Sequence, residues 1–299
     1  MEMINLLKLN PNSSVALISS ARKVSEEELK FSIDLLKSWD LKLCLGKNLF
    51  AQDHQFAGSV SKRTEDLQWA LDDYSIKAIF FVRGGYGSIQ IIDRIDWTKF
   101  IRNPKWIIGF SDITIFHTHI NQNLGLPSLH APMPITYPKS STSCLKSLKK
   151  ILSGEKKEYI LASHPLNKTG QNQGDLVGGN LSIIYSLLGS KSQLKTKGKI
   201  LFIEDLDEYL YHIDRMMMAL LRAGMLAHLS GLIVGGMSEM NDNKDPFGKT
   251  AHKIIYDAVS AYSFPVVFGF PAGHIKDNNP IILGQNIKLS VEENQVKIY

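Results

Sequence analysis

The sequence predicts an α/β protein made of two α/β halves, and three observations lead to this class. The length of 299 residues fits about two domains at roughly 150 residues each. Short apolar runs typical of buried strands alternate with amphipathic segments that have helical spacing, which favours a mainly parallel sheet covered by helices. A content of 44% hydrophobic and 21% charged residues excludes collagen, coiled-coil and generally disordered chains.

The first half alternates strand and helix along the chain. Residues 15–18 form an apolar run that predicts a buried strand, and Ser25 with Glu28 forms a capping box that begins a helix. Further strands are predicted at 41–45, 78–82 and 106–110, with one helix around Leu67 to Tyr74 and another beginning just past Ser111.

The alternation of strand and helix patterns is interrupted between residues 136 and 175. Stretches rich in helix- and strand-breaking residues and polar stretches that contain glycine predict a domain junction there. The predicted domains are therefore residues 1–160 and 161–299. The second half predicts strands at 200–203, 231–234 and 266–268, helices near 212–223 and 250–261, and a hairpin that joins 289–291 to 296–298.

Charge and cysteine content narrow the possible partners. The formal net charge is +5. The densest lysine cluster of the sequence is typical of the solvated face of a helix, so no nucleic-acid partner is expected. Cys44 and Cys144 form no metal or redox pattern, and no cofactor or metal is expected. The N-terminus lacks the features of a signal peptide, and no apolar run is long enough to cross a membrane, so a cytoplasmic location is expected.

Polar residues follow several predicted strands, where ligands of open α/β sheets bind. Ser111 lies on a predicted sharp turn between a strand and a helix, which would expose its hydroxyl beside the backbone N–H of Asp112. The sequence around it departs from G-x-S-x-G, because Ile113 stands where the second glycine would be. A role for Ser111 as an ordinary helix N-cap is an equal alternative.

A glycine cluster, Arg83-Gly84-Gly85-Tyr86-Gly87, follows the strand at 78–82. Glycines allow positive φ and close backbone approach, so these N–H groups can face a ligand. The spacing matches neither the dinucleotide fingerprint nor a Walker A loop. A tight turn without any ligand remains the alternative.

An acid and a base follow strands of the second half. Glu204 ends the strand at 200–203, where a carboxylate can orient a histidine. His274 follows a loop rich in glycine and proline, and histidine is the natural general base for a serine. Other candidates are His117, His119, His130 and His212.

Taken together, six motifs in this order resemble the LD-carboxypeptidase family of serine peptidases, over roughly residues 14–285. They are Arg83 to Gly87, Gly109 to Asp112, Gly178 to Ser182, Phe202 to Asp205, Ile213 to Arg215, and Gly273-His274. The resemblance implies a Rossmann-like N-terminal nucleophile domain, a smaller α/β C-terminal domain that supplies acid and base, and an active site at the interface. It also implies homodimers.

Carried over by position, the resemblance implies Ser111 as nucleophile, Glu204 as orienting acid and His274 as general base. The oxyanion hole would use the N–H of Asp112 and one from Gly84 or Gly85, which the sequence does not decide between. Arg83 and Arg215 are candidate carboxylate receptors or ordinary ion-pair partners. Gly178-Gly179-Asn180 is interpreted mainly as a helix cap.

The implied function is removal of the terminal D-Ala from a cytoplasmic murein tetrapeptide, with that small peptide as substrate. Two alternatives stay open. One is a hydrolase like the microcin C self-immunity proteins, which cuts an aminoacyl-nucleotide mimic. The other is a non-catalytic binding module on the same fold, with Ser111 as a cap.

Overall fold

The computed structural model describes residues 7–299, so part of the N-terminal segment examined for a signal peptide, residues 1–6, lies outside the described residues. In chain order the strands are β1 (Ser14–Ile18), β2 (Lys42–Leu45), β3 (Ile76–Phe81), β4 (Trp106–Gly109), β5 (Ser128–His130), β6 (Tyr159–Ala162), β7 (Gly170–Asn180), β8 (Ile200–Leu206), β9 (Gly231–Ser238), β10 (Val266–Val267), β11 (Ile281–Leu283), β12 (Asn286–Val291) and β13 (Gln295–Ile298). The helices are α1 (Glu26–Lys37), α2 (Val60–Asp72), α3 (Thr98–Arg102), α4 (Thr114–His119), α5 (Thr142–Leu152), α6 (Leu181–Ser186), α7 (Leu210–Arg222) and α8 (Ala251–Val259).

The first sheet has the order β11-β5-β4-β3-β1-β2, and its first five strands along the chain are parallel. The parallel part follows the doubly wound order 2-1-3-4-5, in which the chain reverses direction across the sheet between β1 and β3. Successive residues of these strands face opposite sides, and both sides are buried: Ala16 and Ile79 belong to one core, Leu17 and Phe80 to the other. This explains why the strands are continuous apolar runs, and the predicted α/β class is confirmed.

The second sheet has the order β10-β9-β8-β7-β12-β13-β6. Strands β7 to β10 are parallel, whereas β12, β13 and β6 pair antiparallel. The predicted C-terminal hairpin is present as β12 and β13, with Val291 opposite Val296. This sheet is therefore mixed, because three antiparallel strands extend its parallel part.

Strand β11 ties the two halves together. It comes from the C-terminal part of the chain but pairs antiparallel with β5 at the edge of the first sheet, with Ile281 opposite His130. Its apolar side chains pack with Phe202 in the core of the second sheet. The predicted boundary between residues 160 and 161 falls inside β6 and stays a prediction.

A local sequence signal accounts for where helix α1 begins. Helix α1 begins with the predicted capping box, in which Ser25 Oγ accepts from the N–H of Glu28 and the Glu28 carboxylate accepts from the N–H of Ser25. The lysine-rich segment is α5, which buries one apolar face that includes Cys144 and Leu148. Within residues 7–299 no helix has both the length and the apolar character to span a membrane.

Candidate active site

Three predicted site residues from distant parts of the chain meet at the carboxyl ends of their strands. His274 Nε2 lies 3.1 Å from Ser111 Oγ, and His274 Nδ1 lies 2.7 Å from Glu204 Oε2. Ser111 follows β4 of the first sheet, Glu204 lies on β8 of the second sheet, and His274 lies in the loop after β10. The arrangement is a continuous serine, histidine and carboxylate hydrogen-bond chain between the two sheets.

Ser111 occupies a backbone conformation that non-glycine residues rarely adopt, with φ of +61°. It opens a short 3-10 turn, Ser111–Ile113, and the cap position before that turn is Phe110, which makes no side-chain capping bond. The alternative that Ser111 is merely a helix N-cap is therefore wrong. The left-handed turn instead points the hydroxyl toward His274, which is the geometry of a strained strand-to-helix elbow.

Glu204 is fully buried, and two glycines make room for it. An added Cβ at Gly273, which has φ of +110°, would lie 2.7 Å from Glu204 Oε2. An added Cβ at Gly235 would lie 3.2 Å from Glu204 Cβ. Glu204 Oε2 also accepts from the backbone N–H of His274 at 3.2 Å, so the carboxylate fixes both the ring and the main chain of this loop.

The environment of His274 sets its pKa by two opposed effects. Burial works to lower the pKa of the ring, while the Glu204 carboxylate favours the protonated form through charge and hydrogen bonding. The net direction is upward from the ordinary value. Phe110 packs against the same ring at 4.8 Å between centroids, which limits its rotation.

The glycine loop after β3 lies beside Ser111. An added Cβ at Gly84 would be 3.4 Å from Ser111 Cβ and 3.5 Å from the backbone N of Asp112. Gly85 has φ of +105°, and its added Cβ would collide with the Arg22 side chain. Gly84 is thus the member of the pair that touches the serine turn, and the use of these N–H groups as oxyanion donors stays a prediction.

Two buried charged side chains support this loop, and sequence reasoning missed both roles. The Asp112 carboxylate accepts from the N–H of Ser88 at 2.9 Å, and its burial raises its pKa. Arg63, on α2, donates to the carbonyls of Ser20 at 2.8 Å and Gly87 at 2.9 Å. No local pattern marks Arg63, because a helical arginine is ordinarily exposed.

Asn180 and Asp205 fix the start of α6 next to Glu204. The Asn180 side chain accepts from the N–H of Ile183, which confirms the predicted cap. Asp205 accepts from Asn180 Nδ2 at 2.8 Å and from the N–H of Ser182 at 2.9 Å. Burial, and then the neighbouring Glu204, raise the pKa of Asp205 to about 7.

The other candidate histidines lie outside the hydrogen-bond chain. His117 Nε2 contacts the carbonyl of Gly109 at 2.9 Å, and burial lowers its pKa to about 4. His130 is buried between Phe110 and Phe202. His119 contacts Ser192, and His212 contacts Glu208. None of these contacts involves Ser111 or Glu204.

The two arginines considered as carboxylate receptors have other partners. Arg83 lies 3.3 Å from the Glu28 carboxylate and donates to the carbonyl of Lys23. The Arg215 guanidinium lies over the Tyr211 ring, 5.1 Å from its centroid. In the part of the chain that the structure describes, no three histidine, cysteine or acidic side chains form a metal-binding group.

Comparison with known proteins agrees with the fold. Residues 15–131 match the model of the LD-carboxypeptidase N-terminal domain, and residues 173–289 match that of the C-terminal domain. The probable murein peptide carboxypeptidase of Bacillus subtilis is 31% identical over 294 residues, with 95% of this chain and 91% of that protein covered.

Solved structures are also similar to this chain. The muramoyltetrapeptide carboxypeptidase from Oxalobacter formigenes has a TM-score of 0.87 at 25% identity and covers 95% of this chain and 97% of its own. The microcin C7 self immunity protein MccF, in complex with aspartyl sulfamoyl adenosine, has a TM-score of 0.85 at 20% identity, with 97% of each chain covered. That second likeness shows the fold alone.

These matches define an enzyme of the serine peptidase class with the architecture of a carboxypeptidase. Within that class, the chain belongs to the LD-carboxypeptidase family.

Proposed function

We propose that this enzyme hydrolyses the L,D peptide bond before the terminal D-Ala of a murein tetrapeptide. The observation that carries the proposal is the hydrogen-bond chain from Ser111 Oγ through His274 to Glu204, with distances of 3.1 and 2.7 Å. The names of the Bacillus subtilis relative and the Oxalobacter formigenes structure support the choice of a murein peptide as substrate.

In the proposed first step, Ser111 Oγ attacks the scissile carbonyl carbon while His274 Nε2 takes the hydroxyl proton. Glu204 stabilises the imidazolium that forms and holds the ring with Nε2 toward the serine. The raised pKa of His274 is the ground-state sign of the same charge interaction.

The tetrahedral intermediate places a negative charge on the former carbonyl oxygen. The N–H of Asp112 and the N–H of Gly84 or Gly85 are the proposed donors to this oxygen. The closeness of Gly84 to both Ser111 and Asp112 supports this pocket. Arg63 and the Asp112 carboxylate hold the end of this loop through hydrogen bonds to Gly87 and Ser88.

Collapse of the intermediate breaks the C–N bond, and His274 gives its proton to the departing amine of D-Ala. Water then attacks the acyl-enzyme, with His274 again as base, and releases the shortened peptide and free Ser111. The proposal includes a cytoplasmic role in peptidoglycan recycling and a homodimer, as the family resemblance implies.

The test is mass spectrometry of a murein tetrapeptide incubated with the wild type, with Ser111→Ala and with Ser61→Ala. Ser61 is exposed on α2, so its variant is the matched control for the same chemical change. We expect loss of one D-Ala with the wild type and Ser61→Ala and none with Ser111→Ala. Cleavage by no protein would refute the murein assignment, and an aminoacyl-nucleotide conjugate would then be the next substrate to test.

A further inference from the structure

The loop after β1 brings an exposed cation to the edge of the candidate active site. The backbone of Arg22 is held in three ways: its N–H donates to the carbonyl of Gly84 at 3.4 Å, its carbonyl accepts from Ser19 Oγ at 2.7 Å, and it forms a bridge with Phe56. The position of the residue is therefore set by the fold, while its side chain is exposed.

The aliphatic stem of Arg22 lies directly on Gly85. An ideal Cβ at Gly85 would be 2.3 Å from Arg22 Cδ and 3.5 Å from Arg22 Nε. The stem thus fills the space that any side chain at position 85 would need. Gly84, the next residue toward the serine turn, lies against Ser111 and the Asp112 N–H, so one residue of this loop separates the Arg22 stem from the serine turn.

This location is also the topological switch point of the first sheet. Arg22 follows β1 and Gly84-Gly85 follow β3, and these are the strands between which the chain reverses its direction across the sheet. The crevice between the loops at such a point is where open α/β sheets bind ligands.

The neighbouring arginines have protein partners, and Arg22 differs from them within the described residues. Arg63 is buried and donates to backbone carbonyls, and Arg83 pairs with Glu28. Among residues 7–299, no hydrogen bond or ion pair of the Arg22 guanidinium is found. An arginine fork without a protein partner at a crevice is suited to a planar anion such as a carboxylate.

We propose that Arg22 binds the terminal α-carboxylate of the substrate and so restricts the enzyme to the last peptide bond. This inference rests on the proposed function. In a carboxypeptidase substrate that carboxyl carbon is only three bonds from the scissile carbonyl carbon, a span of about 4 Å. Its receptor must therefore lie beside the oxyanion loop, as Arg22 does.

The test compares two peptides that end in D-Ala, one with a free carboxylate and one with a C-terminal amide, by steady-state kinetics. The variants are Arg22→Met, which keeps a stem on Gly85, and Arg22→Lys, which keeps the charge but loses the fork. Lys23→Met is the matched control, since it removes one exposed positive charge from the next residue.

We expect the wild type to prefer the free carboxylate. Arg22→Met should raise KM for that peptide by about 10- to 100-fold, change kcat much less, and leave the amide peptide unaffected. The KM of Arg22→Lys for that peptide should lie between those of the wild type and Arg22→Met, and Lys23→Met should have the KM of the wild type.

Equal losses for both peptides, or an unchanged preference in Arg22→Met, would overturn the role of Arg22 while leaving the proposed function intact. A wild type that cleaves neither peptide would instead overturn the proposed function, and this inference with it.

Discussion

Glu204→Gln replaces a fully buried carboxylate with a neutral amide of nearly the same shape. Glu204 Oε2 lies 2.7 Å from His274 Nδ1, and at an effective dielectric constant of about 20 Coulomb's law gives about 6 kcal/mol between the two charges when His274 is protonated. That energy corresponds to about four orders of magnitude in rate. Because the glutamine oxygen can still accept from Nδ1, we expect a loss in kcat of about 10²- to 10⁴-fold.

The same variant should also change the pH profile of kcat/KM. A general base must be neutral, so activity rises as the pH passes upward through the pKa of His274. Glu204 works to raise that pKa, so removing its charge should move the acid limb of the profile to lower pH.

The assay is steady-state hydrolysis of the murein tetrapeptide between about pH 5 and 9, with thermal unfolding of each protein measured alongside. Glu155→Gln, which neutralises an exposed carboxylate paired with Lys150, is the matched control and should behave as the wild type. A folded Glu204→Gln protein with kcat within about threefold of the wild type, or with an acid limb moved to higher pH, would refute the reasoning.

Three further predictions concern stability, each measured by urea denaturation. Ser111→Gly should be more stable than Ser111→Ala by about 1 kcal/mol, since glycine adopts a φ of +61° without the steric strain that alanine has there. Equal stability of the two variants would contradict backbone strain at this position. Gly178→Ala should lower the free energy of unfolding by about 3 kcal/mol or more, because its Cβ would overlap the Phe202 carbonyl. Gly189→Ala, where φ is also positive but the space is open, should lower it by about 1 kcal/mol. Similar losses in the two variants would argue against the overlap. The fold raises the pKa of Asp205 to about 7, so the contribution of this residue to the free energy of unfolding falls as the pH rises from about 4 to 7. Asp205→Asn should therefore lose less stability over that pH range than the wild type does. Parallel curves of stability against pH would refute the raised pKa.

The sequence predicted most of the first sheet and the strand-end positions of the site. Buried parallel strands such as residues 78–82 are continuous apolar runs, so their existence can be read locally, and the observed strand covers Ile76–Phe81. The same holds for the hairpin of β12 and β13, whose strands are close in the chain. The family motifs added the pairing of Ser111 with Glu204 and His274.

Other features depend on contacts between residues far apart in the chain, which no local pattern encodes. The burial of Arg63 against the carbonyls of Ser20 and Gly87 is one example, since a sequence shows a helical arginine but not the loops that surround it. The contact of the Arg22 stem with Gly85 is another, because the loops after β1 and β3 meet only in the folded sheet.

By itself, the sequence determined the α/β class, many of the strands and helices, and the residue types at the ends of those strands, because periodicity and capping act over a few residues. It did not predict β5, β6, β7 or β11. Only the tertiary structure decided that β11 crosses to the edge of the first sheet and that Ser111 adopts a left-handed turn rather than a cap. It also decided that His274 lies 3.1 Å from a serine 163 positions earlier. Strand pairing and the approach of two sheets are set by the packing of the whole core, so these distances exist only once both halves have folded together.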